Sequence, residues 1–227
     1  MPSTVVVIVS GGMDSVTLLH DVVSQGFKVH AVSFNYEQRH KKELECAVLN
    51  CHKLSVPHII LDVEVLGFIS ASSLTRPDQD VPEGAYDGEN MKQTVVPNRN
   101  MVMLALATSY AISVGADAVY YGAHSGDHTI YPDCRPEFIR AMDNVMKLCD
   151  WRRIELRAPY QRFTKADILQ IGDKLGVDYS TTWTCYNGRE KPCGRCGSCD
   201  ERLLAFEIIG KKDPLQYESD ELRPQVV

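Results

Sequence analysis

Residues 5–9 form an uninterrupted run of four valines and one isoleucine, which leads directly into Ser-Gly-Gly-Met-Asp-Ser at positions 10–15. Such a β-branched run without polar alternation is typical of a parallel strand covered on both faces. Apolar residues at helical spacing follow from position 16 to 23, and Gly26 is a natural helix stop. The sequence therefore begins with a predicted strand, glycine-rich turn and helix, the opening unit of an α/β fold.

The alternation of strand and helix continues along the chain. Further strands are predicted over residues 28–34, 58–61, 118–121 and 154–156. Further helices are predicted over residues 37–54, 99–114, 137–148, 165–175 and 200–209, with Thr164 as an N-cap. Residues 66–95 lack this periodicity and predict a mobile loop or lid. The whole pattern predicts a doubly wound parallel α/β sheet.

Length and charge limit the domain organisation and the classes of partner. A chain of 227 residues is expected to form one main domain over residues 1–180 and a small appendage over residues 181–227. Its 24 basic and 30 acidic residues give a net charge of −6. That balance argues against binding a polynucleotide by bulk electrostatics, although it permits a local basic pocket for a small anion.

The sequence predicts neither a membrane span nor a secretion signal. The longest uncharged stretch, residues 100–116, is interrupted by Thr108, Ser109, Ser113 and Gly115 and is shorter than the ~20 apolar residues that a span requires. The N-terminal residues have no basic flank and no small-residue cleavage site. We therefore expect a cytoplasmic protein whose eight cysteines are reduced.

The glycine-rich loop after the first strand has the parts of a phosphate-binding cradle. Gly11 and Gly12 would let backbone amides approach an anion, the following helix would add its positive N-terminal end, and Ser10 and Ser15 could donate hydroxyl hydrogen bonds. The loop lacks both the Gly-Lys-Ser/Thr ending of the P-loop and the GxGxxG spacing of dinucleotide folds. The alternative interpretation is a simple capped turn between strand and helix.

Four of the eight cysteines are clustered as Cys-x7-Cys-x2-Cys-x2-Cys. They are Cys185, Cys193, Cys196 and Cys199. Four thiolates suit a closed, tetrahedral zinc site of structural type, in which no position is left for a catalytic water. An iron–sulfur cluster is the alternative, but nothing else in the sequence indicates electron transfer.

The hexapeptide at positions 10–15 resembles the PP-loop, SGGxDS, of the ATP pyrophosphatases. The resemblance implies an adenine nucleotide alpha hydrolase-like fold and cleavage of ATP between its α- and β-phosphates, with transfer of the adenylyl group to a substrate oxygen. Asp14 would hold Mg²⁺ or orient the loop. The residues expected to bind ATP are Val9, Ser10, Gly11, Gly12, Met13, Asp14 and Ser15.

Further segments resemble one branch of this superfamily, the 7-cyano-7-deazaguanine synthase family. They include FNYEQRH at 34–40, SSLT at 72–75, VPNRN at 96–100, YPDCR at 131–135 and TCYNG at 184–188, in the same order as in the family. Two stretches depart from the family pattern: the usual Phe-Asp-Tyr-Gly-Gln has Asn35 and Glu37 in place of Asp and Gly, and the usual Pro-Gly-Arg-Asn has Asn98 in place of Gly. Asparagine tolerates the left-handed conformation that glycine allows, so the second change need not disturb the backbone.

The resemblance implies that 7-carboxy-7-deazaguanine, ammonia and ATP are converted into the corresponding nitrile. An acyl adenylate would be attacked by ammonia to give an amide, and a second activation on the amide oxygen would permit elimination to the nitrile. The chain has no room for a glutaminase domain, so free ammonia is the expected nitrogen source. The resemblance also implies a homodimer.

Several residues outside the loop are candidates for the site. We expect Asp14, Ser15, Lys165 and Arg99 to act in catalysis, with Lys165 and Arg99 countering phosphate or carboxylate charge. Asp127, His128 and Asp133 follow a predicted strand and are candidates for substrate or metal binding. Alternatives are an enzyme that stops at 7-amido-7-deazaguanine, a PP-loop tRNA-modifying thiolase, and a zinc-stabilised nucleotide-binding module without catalysis.

Overall fold

A computed structural model describes residues 3–84 and 89–218. Its strands are β1 (Thr4–Ile8), β2 (Lys28–Asn35), β3 (His58–Asp62), β4 (Ala118–Tyr120) and β5 (Glu155–Arg157). Its α-helices are α1 (Met13–Ser24), α2 (Lys42–Lys53), α3 (Glu64–Ile69), α4 (Arg99–Val114), α5 (Pro136–Met146), α6 (Lys165–Lys174) and α7 (Gly197–Ile208). Short 3-10 helices occur at Glu89–Thr94, Ser125–Thr129, Pro132–Cys134 and Tyr179–Thr181.

The five strands form one parallel sheet in the order β3-β2-β1-β4-β5. Successive β1 residues face opposite layers: Val6 packs in a core with Leu104 of α4 and Met142 of α5, whereas Val7 packs with Leu18 of α1 and Ile168 of α6. Helices therefore cover both faces, and the predicted doubly wound sheet is confirmed. The strand order reverses between β1 and β4, and ligands of such sheets bind at that point, beyond the carboxyl ends of the strands.

Two helices begin at positions other than those predicted. The helix predicted from residue 37 begins at Lys42, because the Gln38 side chain accepts from the Tyr36 amide and donates to the Phe34 carbonyl, which stabilises a turn instead. The helix predicted from residue 200 begins at Gly197, within the cysteine cluster. The predicted cap on α6 is present, since Thr164 accepts from the Asp167 amide.

The segment predicted as a lid is a packed connection over its described part. It contains most of α3 and a 3-10 helix, and the side chains of Leu74 and Met91 are fully buried in the main core. These two apolar residues are 17 positions apart, too far to give a recognisable sequence period. Residues 85–88 of the predicted lid lie outside the described residues.

The C-terminal segment packs directly against the start of the sheet. The Trp183 amide donates to the Gly11 carbonyl at 3.0 Å. Arg202 of α7 is 1% exposed and forms an ion pair with Asp213, which anchors the first part of the polar tail. The division at residue 180 stays a prediction, and residues 219–227 lie outside the described residues. None of the described helices has the length and hydropathy needed to cross a bilayer.

Candidate active site

A cavity lies beyond the carboxyl ends of β1 and β4. Every residue of the predicted ATP-binding loop except Gly11 lines it. Arg99, Asp127 and Lys165, three further predicted site residues, also line it. The fold therefore brings residues from four distant parts of the sequence into one cavity, at the place where the strand order reverses.

The loop after β1 satisfies its own amides. Ser10 and Gly11 donate their N–H groups to Ser15 Oγ at 3.1 and 3.2 Å, and Gly12 donates to Ser10 Oγ at 3.2 Å. No side chain caps α1, which begins at Met13. Ser15 Oγ also donates to the Gly12 carbonyl at 3.1 Å and lies 3.1 Å from Ser10 Oγ. The donors best placed for an anion are thus the first-turn amides of α1, rather than the glycine amides that the motif suggested, and the two serine hydroxyls would turn from their bonds within the loop to reach it.

Gly11 is required by packing. Its φ is 96°, and a β-carbon there would lie 1.8 Å from the carbonyl oxygen of Glu43 in α2. A side chain would therefore separate the loop from α2. The conformation and the close approach together explain a glycine at this position.

Lys165 stands at the centre of a buried charge cluster. It begins α6, is 7% exposed, and its Nζ lies 3.2 Å from Asp14 and 2.6 Å from Glu201 of α7. Burial alone would lower the pKa of Lys165, but the carboxylates of Asp14 and Glu201 outweigh burial and hold it above its usual range. Lys165 is therefore protonated throughout the physiological range and fixes both carboxylates.

Asp14 has one carboxylate oxygen to spare. Oδ2 faces Lys165, whereas Oδ1 is buried and has no hydrogen-bond partner among the described residues. A buried carboxylate oxygen without a partner is costly unless a ligand completes it. Mg²⁺ takes one or two protein carboxylates together with phosphate oxygens, so Asp14 fits such an ion.

His124 faces the same carboxylates from β4. Its Nδ1 accepts from the Gly126 amide at 3.1 Å, which places a proton on Nε2. Nε2 lies 3.6 Å from Asp127 and 3.8 Å from Asp14. Burial lowers the pKa of His124, but Asp127 and then Asp14 outweigh that effect and raise it. His124 therefore holds Asp127 beside the loop.

The other end of the cavity is aromatic and contains Arg99. Its Nη1 donates to the Tyr36 hydroxyl at 3.1 Å, and its guanidinium lies 5.9 Å from the Tyr131 ring centre. Burial would lower the pKa of Arg99, but Tyr36 and Tyr131 help to keep it well above its usual value. Within residues 3–84 and 89–218, no carboxylate forms an ion pair with Arg99. A permanently charged guanidinium is thus available to an anionic ligand.

Two predicted residues lie outside the cavity lining. Asp133 accepts from the Asn100 amide in the first turn of α4 at 3.0 Å, which gives it a capping function. His128 is also absent from the lining, and its Nε2 is buried without a hydrogen-bond partner among the described residues. Of the three substrate candidates, only Asp127 lines the cavity.

The two positions that depart from family glycines both have left-handed backbones. Asn98 has a φ of 59° and Glu37 a φ of 61°. The expected conformation at Asn98 is confirmed. Glu37 adopts the same region without the tolerance of asparagine, and its carboxylate pairs with Lys41 at 3.0 Å.

The four predicted metal ligands converge. The Sγ atoms of Cys185, Cys193, Cys196 and Cys199 are buried and lie within 4.8 Å of one another. A tetrahedral zinc site with Zn–S bonds of ~2.3 Å places its sulfurs about 3.8 Å apart, so the cluster has the right size. Hydrogen bonds from the other thiols, above all Cys185, hold the pKa of Cys193 below its usual range.

Several residues of the site had no signal in the sequence. His40 and Glu43 line the cavity but fall on the charged face of the helix predicted over residues 37–54. Glu201, on the helix predicted over residues 200–209, acts through Lys165, which lines the cavity. The positions of these side chains depend on how α2 and α7 pack, which no local pattern records. The cysteine spacing was the available clue to Glu201, because a metal on Cys196 and Cys199 would fix the first turn of α7.

Comparison with known proteins agrees with this geometry. The family model described as "Queuosine biosynthesis protein QueC" matches residues 4–210. A 7-cyano-7-deazaguanine synthase from Methanoregula boonei is 57% identical over 213 residues, which cover 94% of this chain and 98% of the relative. One from Caldicellulosiruptor saccharolyticus is 59% identical over 213 residues, with coverage of 94% and 95%.

A solved structure shares the fold. The NMN synthetase from Francisella tularensis has a TM-score of 0.55 and 14% identity, and the match covers 93% of this chain and 79% of that chain. At this identity the likeness supports the fold alone, whereas the two relatives above are similar over nearly their whole length. The chain belongs to the queuosine biosynthesis protein QueC family.

Proposed function

We propose that the protein is an ATP-dependent 7-cyano-7-deazaguanine synthase, which converts 7-carboxy-7-deazaguanine and ammonia into the nitrile through an adenylated acid and an amide. The observation that carries the proposal is the shared cavity: a PP-loop lies at one end, and at the other lies a guanidinium that pairs with no carboxylate of residues 3–84 and 89–218. Relatives with the same name are 57 and 59% identical over nearly the whole chain.

The loop end of the cavity would hold the leaving pyrophosphate. The N-terminus of α1 supplies its uncapped amides and partial positive charge, and the hydroxyls of Ser10 and Ser15 add donors. These donors favour the transition state, because negative charge grows on the departing group. Mg²⁺, held by Asp14, would neutralise phosphate charge when bound.

The residues around Lys165 would fix that end of the cavity. Lys165 is already paired with Asp14 and Glu201, so its main contribution is to hold these carboxylates in place. The assignment of Lys165 as a direct phosphate ligand stays a prediction. Asp127 and His124 complete the wall on the opposite side.

Arg99 would bind the carboxylate of the deazapurine acid. Its charge is permanent and it lacks a carboxylate partner in the described chain, so an acid in this position gains a charge-assisted hydrogen bond. The same geometry serves both activations, since each transfers an adenylyl group to an oxygen on the same substrate carbon. Burial of the aromatic wall would shield the adenylate from water.

The cysteine cluster would hold one structural Zn²⁺. Four thiolates leave no open coordination position, so the ion would stabilise the wall formed by residues 183–201 without joining the reaction. A homodimer stays part of the proposal. So does a cytoplasmic location, since reduced clustered thiols suit a reducing compartment.

The product assay tests this function. Purified protein is incubated with ATP, Mg²⁺, ammonium and 7-carboxy-7-deazaguanine, and the products are weighed by mass spectrometry. We expect the nitrile, with the amide as a transient species, and release of pyrophosphate. Accumulation of the amide alone would favour the amide-forming alternative, and absence of any ATP-dependent product would reject both.

A further inference from the structure

His40 and Glu43 form a paired imidazole and carboxylate inside the same cavity. His40 Nε2 lies 3.3 Å from Glu43 Oε1, and both side chains line the cavity. His40 is 3% exposed, and its Nδ1 has no hydrogen-bond partner among the described residues. The pair is therefore an incompletely satisfied polar group in a ligand cavity, and the steps above do not use it.

The fold holds this pair firmly in place. The Glu43 backbone touches Gly11, where a β-carbon would lie 1.8 Å from its carbonyl oxygen. On the other side, a β-carbon at Gly188 would lie 3.1 Å from the His40 α-carbon. Two close backbone approaches thus fix the segment between the ATP-binding loop and the turn that follows Cys185.

The negative charge of Glu43 would be stabilised by a bound cation. Its side chain is 12% exposed, and its ion-pair contact within the described residues is to His40. A largely buried carboxylate that faces only an imidazole gains from a small cation with N–H donors. Ammonium supplies both the charge and the donors, and the Tyr186 ring, whose centre lies 5.7 Å from that of His40, adds an aromatic neighbour of the kind that attracts cations.

The position of the pair suits the nitrogen donor of the reaction. Tyr36 lines the same cavity as the pair and Arg99, and its hydroxyl accepts from Arg99 Nη1 at 3.1 Å. An acid on Arg99 and an ammonium on Glu43 would therefore lie in one cavity. Such proximity is what the attack of nitrogen on the activated acid requires.

We propose that Glu43, oriented by His40, is the ammonium-binding site and that the pair takes the proton released by nitrogen. The ammonium first gives one proton to the pair, which frees the lone pair on nitrogen. In the first step the new C–N bond forms, the bond from carbon to the AMP oxygen breaks, and a second proton leaves nitrogen to give the amide. In the second step adenylation of the amide oxygen releases one N–H proton, and the C–O bond to AMP then breaks as the nitrile forms and the last N–H proton leaves. The pair takes each proton in turn and passes it to solvent before the next. This inference rests on the proposed function.

Kinetics of Glu43→Gln provide the test, with Glu45→Gln as the matched control because Glu45 is exposed on the same helix. We expect the KM for ammonium to rise about ten- to a hundredfold in Glu43→Gln, as for loss of one charged hydrogen bond. The KM for the deazapurine acid and the acid-dependent exchange of pyrophosphate into ATP, measured without ammonium, should stay within about twofold of the Glu45→Gln values, well below a tenfold effect.

Two further measurements distinguish loss of ammonium binding from a general loss of activity. Hydroxylamine, which is uncharged at neutral pH, should rescue Glu43→Gln more than ammonium does, with hydroxamate as product. His40→Asn should show a smaller defect of the same kind. An unchanged KM for ammonium, or a raised KM for the acid instead, would overturn the inference while leaving the proposed function intact. No nitrile or amide from the unmodified protein would overturn both.

Discussion

A β-carbon at Gly11 would clash with the carbonyl oxygen of Glu43, so the ATP-binding loop can pack against α2 only with glycine at this position. We expect Gly11→Ala to lower the free energy of unfolding by about 3 kcal/mol or more, from backbone strain at a φ of 96° and from the forced separation of loop and α2. Urea unfolding at equilibrium measures this loss.

Gly26→Ala is the matched control for that substitution. Gly26 has a φ of 80°, and nothing lies within 4 Å of a β-carbon built there. It should therefore show the backbone strain alone, about 1–2 kcal/mol. An equal loss of unfolding free energy in the two variants would contradict the packing argument. Gly11 would then be explained by ligand binding alone.

The N-terminus of α6 determines the position of Lys165, because Lys165 is the first residue of this helix. Asp167 Oδ2 accepts from the Thr164 amide at 2.8 Å, and the hydrogen bonds from Thr164 lower the pKa of Asp167. A carboxyl with a depressed pKa stabilises the fold above its unfolded pKa of about 3.9, and this contribution is lost as pH falls through the folded value.

We therefore expect Asp167→Ala to be less stable than the unmodified protein at neutral pH, and the difference to shrink as the pH falls below about 4, the ordinary carboxyl range. The effect is small, because Asp167 is exposed. Urea unfolding across the acid range measures it. Lys174→Ala, in the last turn of α6, is the control, because it removes no carboxyl and should not reproduce the pH dependence. A difference independent of pH would mean that helix propensity rather than the cap explains the loss.

The sequence predicted helices and strands well where a local residue pattern fixes them. It predicted them poorly where contacts with other parts of the chain determine the structure. The continuous apolar run of β1 and the spacing in α4 placed both elements closely, since burial on both faces leaves a direct sequence record. The start of α2 was missed because a side-chain turn at Gln38 competes with the helix. The connection over residues 66–95 was misread because Leu74 and Met91 are isolated apolar residues.

The candidate site divides in the same way. Asp14 and Ser15 belong to a contiguous motif, so the sequence alone could name them. Glu43 reaches the cavity only through the packing of α2, and Glu201 reaches Lys165 only through the packing of α7; neither has a motif of its own. Asp133 was selected because it follows a strand, yet a helix N-terminus takes its carboxylate.

The cysteine cluster and the cavity are connected through α7. Cys196 and Cys199 begin α7, and Glu201, two residues later, pairs with Lys165. Removing the metal with a chelator should lower the melting temperature and abolish acid-dependent pyrophosphate exchange, because the wall that carries Glu201 loosens. Differential scanning calorimetry and a pyrophosphate-exchange assay follow the two changes, and elemental analysis confirms that the metal has been removed.

Zinc should restore both properties when it is added back, with about one ion per chain for a four-thiolate site. Cys193→Ser is the corresponding variant. A chelated protein that keeps full exchange activity and an unchanged melting temperature would contradict the coupling between metal and cavity. Iron in the untreated sample would contradict zinc as the resident ion.

Arg202 of α7 connects the segment that contains the cysteine cluster to the polar tail after α7. Its Nε and Nη2 donate to Asp213 at 2.6 and 3.0 Å, and its other N–H groups reach Thr182, Thr184 and the Tyr179 carbonyl. We expect Arg202→Met to lower the free energy of unfolding by about 3–5 kcal/mol, since it leaves Asp213 charged and buried.

The double variant Arg202→Met with Asp213→Leu should recover part of that loss, because two apolar side chains can replace a buried ion pair at little cost. Lys53→Met breaks the Lys53–Asp178 pair, whose side chains are 42 and 54% exposed, and should cost under about 1 kcal/mol. Urea unfolding of these three variants and of the Asp213→Leu single, all with metal bound, measures the coupling. A double variant as unstable as the sum of its singles would show that the pair acts through separate contacts.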